Sequence, residues 1–320
     1  MRVNRRFLYA GIFLVAIGAV LVAADLGAID AGILIDALRL WPLAVVALGV
    51  GLVLRRTPLG LPGGMLAAAV PGLLLGSAFA LGPRFADDCG ERRDVAPTAS
   101  EQGRFDGPAD VSVTTGCGLL TLRTASGDGW ELAAANTRNR PPTVSSTATS
   151  LEIEPVGREE WAFLDAGRDT WDLTLPTSPI KSLALVVNAG RGDVAVPGAR
   201  LEHLNVTANA ADVVVDASGA VVQRLTGAVN VGRLSLLLPA DDDIDGSLRV
   251  SAGELQICAP PELGLRVTNR GTADHVTVEG LTQTGSVWQS AGYASAPHRA
   301  DLRVSANFGA VEINPIGGCS

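Results

Sequence analysis

Apolar residues are distributed differently in the two parts of the chain. The first eighty-odd residues contain three long apolar runs, and the remainder consists of short segments in which apolar and polar residues alternate. The runs are Phe7–Ala24, Leu40–Leu54 and Met65–Gly82. At about 1.5 Å per helical residue, the uncharged first run nearly matches the thickness of a hydrocarbon core. A signal peptide would supply one such run, so three predict a membrane module of about three transmembrane helices over residues 1–84.

Glycine spacing in the third run allows two interpretations. Gly72 and Gly76 have the small-xxx-small spacing that lets membrane helices approach closely. Glycine is also simply more frequent in membrane helices than in soluble ones. The spacing predicts close helix packing only if the first interpretation holds.

Arginines flanking the runs predict the orientation. Cations before the first run and after the second place the N-terminus in the cytoplasm and, after three crossings, the rest of the chain outside. Three further arginines just beyond the third run weaken this assignment, and a fourth span over Leu26–Leu38 would reverse it. The arginines are Arg2, Arg5, Arg6, Arg55 and Arg56, with Arg84, Arg92 and Arg93 beyond the third run.

Residues 108–320 have the alternation of β-strands, after a polar linker predicted over 85–107. From Leu183 onward one sequence repeat recurs about every twenty residues. It consists of a segment of alternating apolar and polar residues, a corner of small residues, and a second alternating segment. This period predicts an all-β domain of stacked rungs, a β-solenoid-like fold, and a plain β-sandwich is the alternative. The copies are Leu183–Val196, Leu204–Val215, Leu225–Leu238, Leu248–Ile257, Leu265–Val278 and Leu302–Ile313.

Both parts resemble a known bacterial family. The segments Gly11–Gly18, Asp25–Gly27, Leu40–Leu43 and Leu48–Gly51, followed by two arginines, resemble the membrane module of LiaI/LiaF-like proteins. The pattern Trp171-x-Leu-x-Leu-Pro176 and the repeats after it resemble the toast-rack body of that family. The resemblance implies a membrane protein of the cell-wall-active antibiotic response type, without catalytic residues.

Composition and cysteine content narrow the function classes. A net charge of −8 and a single lysine, Lys181, argue against a nucleic-acid partner, which needs clustered cations. All four cysteines follow the apolar runs, and an even number in an exported domain predicts two disulfides with three pairings open. Joining the outermost two, Cys89 and Cys319, is slightly favoured, and buried free thiols are the alternative. The other two are Cys117 and Cys258, and the sequence has no C-x-x-C pair of the kind that binds zinc.

Two short motifs suggest binding sites that their context does not favour. Asp241-x-Asp243-x-Asp245-Gly246 resembles the start of a calcium loop, but the twelfth position is Ala252 where a glutamate is required. We interpret it as a solvated turn. Arg191-Gly192-Asp193 resembles an adhesion motif, but it occupies a repeat corner, where a structural role is the simpler explanation.

Candidate catalytic groups are scattered. The three histidines share no strand or helix spacing, and the carboxylates and aromatic residues near residue 160 could serve a glycan-cleaving enzyme or form a solvated loop and a rung cap. No hydrolase, P-loop or dinucleotide motif is present. These candidates are His203, His275 and His298; Glu159, Glu160, Asp165 and Asp169; and Trp161, Phe163 and Trp171.

These observations predict a non-enzymatic, multi-pass envelope protein with no catalytic, cofactor or metal residues. Its partners would be the lipid bilayer and a protein or envelope component bound along an extracytoplasmic β domain. A role in envelope-stress sensing or regulation follows from the resemblance alone. An enzyme acting on envelope polysaccharide and a homo-oligomer that assembles through an open β-edge are the alternatives.

Overall fold

The computed structural model describes residues 5–29, 41–54, 60–91, 96–156, 167–271 and 276–319. The chain forms two compact units, Met1–Phe85 and Ala86–Ser320. The first is helical. The second, called the β body below, holds all of the strands in the described residues. The stretch predicted as a linker contains the last turn of a helix and the first strand.

Three helices are described: α1, Arg5–Asp25; α2, Trp41–Leu54; and α3, Gly60–Gly90. Among the described residues, α1 is the one helix long and apolar enough to cross a membrane, over Phe7–Ala24, and a signal sequence has the same properties. Helix α2 has 14 residues, and the apolar part of α3 is the shorter Pro62–Ser77. The three-span arrangement therefore stays a prediction, and most of its rival span, Leu26–Leu38, lies outside the described residues.

Helices α1 and α3 pack closely at two glycines. A Cβ atom added at Gly72 would lie 2.6 Å from the carbonyl oxygen of Phe13, and one at Gly76 would lie 3.0 Å from that of Ile17. Since real Cβ atoms essentially never come within 3.0 Å of a backbone oxygen, Gly72 is required for this packing. The interpretation of the spacing as a packing motif is confirmed.

The β body contains seventeen strands in the described residues. Four of them, each of 16 or 17 residues, bend at a corner near their middle, and three of these four form the centre of the stack. In chain order the strands are β1 Ala99–Arg104, β2 Ala109–Ala125, β3 Gly129–Asn136, β4 Thr143–Thr147, β5 Ser150–Glu154, β6 Asp169–Pro176, β7 Ile180–Ala195, β8 Arg200–Asp216, β9 Val221–Leu237, β10 Ile244–Val250, β11 Glu254–Cys258, β12 Gly264–Asn269, β13 Val276–Val278, β14 Leu281–Thr284, β15 Val287–Ser290, β16 Arg299–Ala306 and β17 Ala310–Ile313.

Each rung consists of a first arm, a corner and a second arm, and successive rungs pair in parallel. Leu183 of β7 is level with Leu204 of β8 and Leu225 of β9. The repeat is therefore 21 residues, close to the predicted twenty. Side chains of the two arms meet inside the rung: a Cβ at Gly192, in the second arm of β7, would lie 3.3 Å from Val187 in its first arm. The stacked-rung, solenoid-like architecture is confirmed.

Alternation decides which side chains fill the interior. In β8, Leu204 and Val206 of the first arm and Val213 and Val215 of the second are buried, and the residues between them face outward. The aligned rows of leucine and valine form one continuous apolar core. A single rung buries too little apolar surface to offset its ordering entropy, so each rung depends on its neighbours.

The corners combine small residues with a row of amides. Gly190 and Gly232 have positive φ angles, and an added Cβ would lie 2.2–2.3 Å from a backbone oxygen of the preceding rung. Beside them, Asn209 Nδ2 donates to Asn188 Oδ1 and Asn230 Nδ2 donates to Asn209 Oδ1, each at 2.7 Å. We call these three residues the asparagine ladder. It continues to the Thr115 carbonyl on one side and the Ser251 hydroxyl on the other.

Rungs at both ends of the stack do not follow chain order. Strand β2 lies between the β5/β6 rung and β7, so the parallel stack starts well before Leu183. The β16/β17 rung lies between the β10/β11 rung and the β12/β13 rung. The copy that is last in sequence is therefore next to last in space.

Antiparallel strands terminate both ends. At one end β4 pairs with β5, and β3 and β1 follow β6; at the other, β15 pairs with β12 and β14 with β15. These strands break the parallel pattern; they cover both arms of the β5/β6 rung at one end and the first arm, β12, of the last rung at the other.

All four cysteines are paired, in an arrangement different from the favoured one. Cys89, in the last turn of α3, is bonded to Cys117 at the corner of β2, and Cys258 at the end of β11 is bonded to Cys319. The expected link between Cys89 and Cys319 was wrong. Sequence distance was a poor guide, because Cys319 follows β17, which pairs directly with the β11 strand that ends at Cys258, while Cys89 lies at the corner of β2.

Candidate binding face

The outward side of the first arms is a broad polar surface, which we call the first-arm face. Outward positions align in rows from rung to rung: most side chains of the middle row are small or polar and uncharged, and most charged ones lie in the row along one margin. Its residues in spatial order are Asp110, Ser112 and Thr114; Ser182, Ala184 and Val186; His203, Asn205 and Thr207; Arg224, Thr226 and Ala228; Asp245, Ser247 and Arg249; and Asp301, Arg303 and Ser305.

A groove of about 350 Å³ crosses one margin of this face. Its lining comes from four neighbouring strands, β2 and β7 to β9. Three basic side chains, Lys181, His203 and Arg224, lie on three successive rungs. Lys181 occupies a register irregularity at which β7 has one residue more than β2. The hydrogen-bonding side chains Ser182, Asn205 and Thr226 complete the polar lining.

Among the residues that the structure describes, no ion pair joins Lys181 or Arg224 to a carboxylate. Arg224 Nη1 lies 3.4 Å from His203 Nε2, a contact between two basic groups. The acidic lining residue Asp110 accepts a 2.5 Å hydrogen bond from the Ser182 hydroxyl. Asp245, which lies beside Arg224 on the neighbouring strand β10, forms an ion pair with Arg303. Asp110 and Asp245 therefore have partners other than Lys181 and Arg224, whereas Glu202, next to His203 on β8, is exposed and adds a negative charge beside the groove.

Farther along the face, charges neutralise one another around an aromatic residue. Asp301 accepts hydrogen bonds from Arg266 and from the Tyr293 hydroxyl, and the Arg266 guanidinium lies 4.7 Å from the Tyr293 ring centroid. Arg299 approaches the same ring to 5.8 Å. Burial, followed by the bond to Asp301, raises the pKa of Tyr293. This cluster holds the loop before β16 against the sheet, a structural role.

The outward side of the second arms carries alternating charge. Arg191, Asp212, Arg233 and Glu254 occupy equivalent positions on successive rungs. Arg233 forms an ion pair with Glu254 at 3.2 Å. Opposite charges on adjacent rungs reinforce the register of the stack.

A larger cavity, of about 760 Å³, lies near the last rungs. It is lined by apolar residues of the loops after β11 and β15, together with Ser290, Asn314, Glu262 and Glu279. Its two charged lining residues are acidic. Neither of them belongs to the candidate sites suggested by the sequence.

Charged side chains of the Arg191–Asp193 motif and of the aspartate motif at Asp241–Gly246 bond to groups within the protein. Arg191 Nε donates to Asp193 Oδ1 at 3.1 Å, just after the corner at Gly190. In the aspartate motif, Asp243 accepts the backbone N–H of Arg299 at 2.8 Å, and Asp245 pairs with Arg303. These carboxylates serve different partners instead of converging, in agreement with a corner and a turn.

The candidate carboxylates are only partly described. Asp169 is buried at the start of β6 and accepts a 2.7 Å hydrogen bond from Asn136 Nδ2. Burial raises its pKa to about 6, against the lowering effect of that bond. Asn136 Oδ1 in turn accepts the backbone N–H of Arg138, so Asp169 supports the turn after β3. Glu159, Glu160 and Asp165 lie outside the described residues.

Of the aromatic residues and histidines that the sequence suggested as candidate catalytic or sugar-binding groups, those that the structure describes lie in different parts of the β body. Trp171 is completely buried in the core of its rung, so it is unavailable to stack on a sugar. Of the histidines, His203 lines the groove, and the carbonyl of His298 accepts the backbone N–H of Gly264. Trp161, Phe163 and His275 lie outside the described residues.

Sequence reasoning missed the groove and the asparagine ladder. The ladder had a signal, since Asn188, Asn209 and Asn230 are spaced by the rung period of 21. The groove had a weaker one: the lone lysine followed by basic residues one and two periods later, at His203 and Arg224. Neither pattern matches a known short motif.

Comparison with known families agrees with the geometry of the rungs. Residues 106–236 match the model of the N-terminal domain of toast_rack, DUF2154. This part of the chain is similar to toast-rack domains. The match runs from β2 to the second arm of β9 and includes the groove.

Solved structures with some similarity to the toast-rack body include three described as proposed adhesion proteins. A cell adhesion protein from Clostridium sporogenes has 15% identity and a TM-score of 0.45, covering 67% of this chain and 98% of its own. Adhesins from Bacteroides fragilis and Parabacteroides merdae have 8% and 9% identity, TM-scores of 0.31 and 0.29, 67% coverage of this chain, and 96% and 95% coverage of their own. No curated protein matches the chain.

Proposed function

We propose that the chain is a membrane-anchored, non-enzymatic envelope protein of the LiaI/LiaF-like type. Its toast-rack body would lie outside the cytoplasmic membrane and bind a protein or an envelope component along the first-arm face. A contribution to envelope-stress sensing follows from the family resemblance.

The two disulfides are the observation that carries this proposal. All four cysteines are bonded in pairs within the β body. Disulfides persist in oxidising compartments and are rare in the cytosol. Combined with an apolar helix near the N-terminus, they favour a body exported across the membrane.

The form of the stack favours binding over self-assembly. Antiparallel strands interrupt the parallel pattern at both ends, which disfavours addition of a further molecule end to end. The first-arm face, by contrast, is a wide and regular surface on closely paired strands. Such a surface suits an extended partner, as in other repeat architectures.

Thiol labelling of intact cells tests the location. Cells expressing the full chain are treated with a membrane-impermeant thiol reagent, before and after an impermeant reductant. We expect labelling only after reduction. A Val3→Cys variant, on the predicted cytoplasmic side, should gain label only after permeabilisation. Labelling of the native cysteines that requires permeabilisation but no reduction would place the body in the cytoplasm and refute the proposal.

A further inference from the structure

The basic groove on the first-arm face is a candidate ligand site, and we propose that it binds the phosphodiester groups of an anionic envelope polymer. This inference names a ligand class for the surface in the proposed function, and it rests on that function. Three features support it: the basic side chains of the groove, the hydrogen bond that holds the Asp110 carboxylate, and the spread of the donors over three strands.

Basic side chains are concentrated at the groove although the protein as a whole is acidic. The net charge is −8 and Lys181 is the single lysine of the chain, yet Lys181, His203 and Arg224 lie together across three rungs. A local positive site on an acidic surface attracts anions selectively, because distant charges are screened within about 10 Å at moderate ionic strength. The ligand therefore has to present its negative charge at this margin.

The carboxylate in the lining does not cancel this attraction. Asp110 is held by the Ser182 hydroxyl, and the lining carries the positive charges of Lys181 and Arg224 against this single negative one. The Arg224–His203 contact leaves most of the Arg224 guanidinium donors free to meet a ligand.

Donor geometry favours phosphate over carboxylate. The arginine fork binds both anions, whereas lysine is a common phosphate ligand as a point charge, and the groove combines one of each. Here the donors come from β7, β8 and β9, separated by about 4.8 Å from one strand to the next. Donors spread over three strands can be met by the several oxygens of successive phosphate groups. Lys181 and Arg224 are two rungs apart, about 10 Å, so a polymer lying along the stack could contact both cations with separate groups.

Hydroxyl and amide side chains would contact the uncharged parts of such a polymer. Ser182, Asn205 and Thr226 line the groove beside the cations. Each offers both donor and acceptor capacity, as sugar and glycerol hydroxyls require. Ala184, also in the lining, leaves room for a chain lying across the face.

Binding measurements on the full chain in lipid nanodiscs test the site. The probes are poly(glycerol phosphate), polygalacturonate as a carboxylate polymer, and neutral dextran. We expect saturable binding of poly(glycerol phosphate), weakening as salt rises, and at least tenfold weaker binding of the other two. Equal binding of polygalacturonate would refute the phosphate assignment.

Single-charge variants separate the groove from general surface charge. K181Q and R224Q should each weaken binding of poly(glycerol phosphate) about three- to fivefold, the range expected when one exposed charge contact is lost. R249Q is the matched control, because Arg249 is exposed on the same face outside the groove lining. Equal losses in all three variants, or none in K181Q and R224Q, would overturn the inference.

The single lysine also gives a direct spectroscopic reporter. Reductive methylation with ¹³C-formaldehyde labels Lys181 and the N-terminal amine, which serves as an internal reference. Poly(glycerol phosphate) should shift the Lys181 dimethylamine signal and leave the N-terminal signal unchanged. A Lys181 signal that does not move at saturating polymer would contradict the proposal, even if the variants bind weakly through altered folding.

The outcomes distinguish this inference from the proposed function. If cell labelling places the body outside and isolated envelopes bind the wild type and the variants equally, the exported binding role survives and the groove assignment fails. If labelling places the body in the cytoplasm, the proposed function fails, whatever the polymer measurements show.

Discussion

At the scale of single residues, alternation in the sequence was enough to assign the interior. Leu204, Val206, Val213 and Val215 are buried as predicted because a strand places every second side chain on the same side. The same rule could not show which outward residues meet. Lys181 and Arg224 are 43 positions apart in sequence, and only the 21-residue register, with a bulge at Lys181, brings them to one groove.

Asp169 should make the protein more stable at mildly acidic pH. Its pKa is about 6 in the folded protein and near 3.8 when exposed, so the folded state holds the proton more tightly. Its contribution to the free energy of unfolding therefore falls as the pH rises from about 4 to 6, by on the order of 2–3 kcal/mol. Asp169→Asn should flatten this dependence and raise stability at pH 7.5.

Denaturant unfolding of the full chain in detergent, at pH 4.5 and 7.5, measures this effect. Asp106→Asn is the control, because Asp106 is exposed and its substitution changes the net charge equally. If both variants keep the wild-type pH dependence, the buried carboxyl is not its source.

The asparagine ladder should depend most on its middle member. Asn209 donates to Asn188 and accepts from Asn230, so Asn209→Ala removes two hydrogen bonds and leaves two amide groups short of a partner. We expect a loss of about 1–3 kcal/mol in the free energy of unfolding. Thr207→Ala, on the same strand and face, should cost less, and equal losses would show that the ladder adds no stability.

At the scale of elements, the sequence located strands well and their continuity poorly. The alternating segments Asp110–Val113 and Leu119–Arg123 look like two separate strands in the sequence, but both belong to β2, which bends at its corner. A bend made by small residues looks like a break in a pattern of alternation. The helical unit shows a different case, since the spacing of Gly72 and Gly76 left two interpretations open and the structure places both glycines where α1 and α3 pack.

Enlarging Gly72 should separate α1 from α3. Gly72→Leu would place a side chain against the Phe13 carbonyl and the Ala16 side chain, where a Cβ alone is already too close. Gly18→Leu is the matched control, because a Cβ at Gly18 has no neighbour within 4 Å among the described residues. SDS titration of the full chain in detergent should show earlier loss of helix packing for Gly72→Leu alone. Similar midpoints for the two variants would argue against this contact.

At the scale of the whole molecule, the rung period predicted the stack but not its order. Neighbouring copies in sequence were expected to be neighbours in space, which holds from β7 to the β10/β11 rung. Beyond that rung the order changes. In sequence, the β14–β15 hairpin lies between β13 and the last copy, β16 and β17. In space, β16 pairs with β10 on one side and with β12 on the other. All copies have similar apolar faces, so the apolar pattern alone does not determine which rung stacks on which.

This order makes a truncation costly in a way that a sequential stack would not. Deleting residues 299–320 removes the β16/β17 rung, which separates the β10/β11 rung from the β12/β13 rung. In a stack that followed chain order, the remaining rungs would keep their contacts. Here β12 and β13 lose their parallel neighbour, so residues 259–298 should become sensitive to protease as a block, while the body up to about Cys258 stays resistant.

The truncation also removes Cys319, so the disulfide needs its own control. Full-length Cys258→Ser/Cys319→Ser lacks the bond but keeps every rung, and limited proteolysis should leave its residues 259–298 protected. The lost cross-link closes a span of 61 residues, and removing it should cost up to about 4 kcal/mol without exposing that block. Cleavage of the block in this variant would assign the protection to the disulfide. Protection of the block in the truncated chain would contradict the spatial order of the last two rungs, because β12 has no other parallel partner among the described strands.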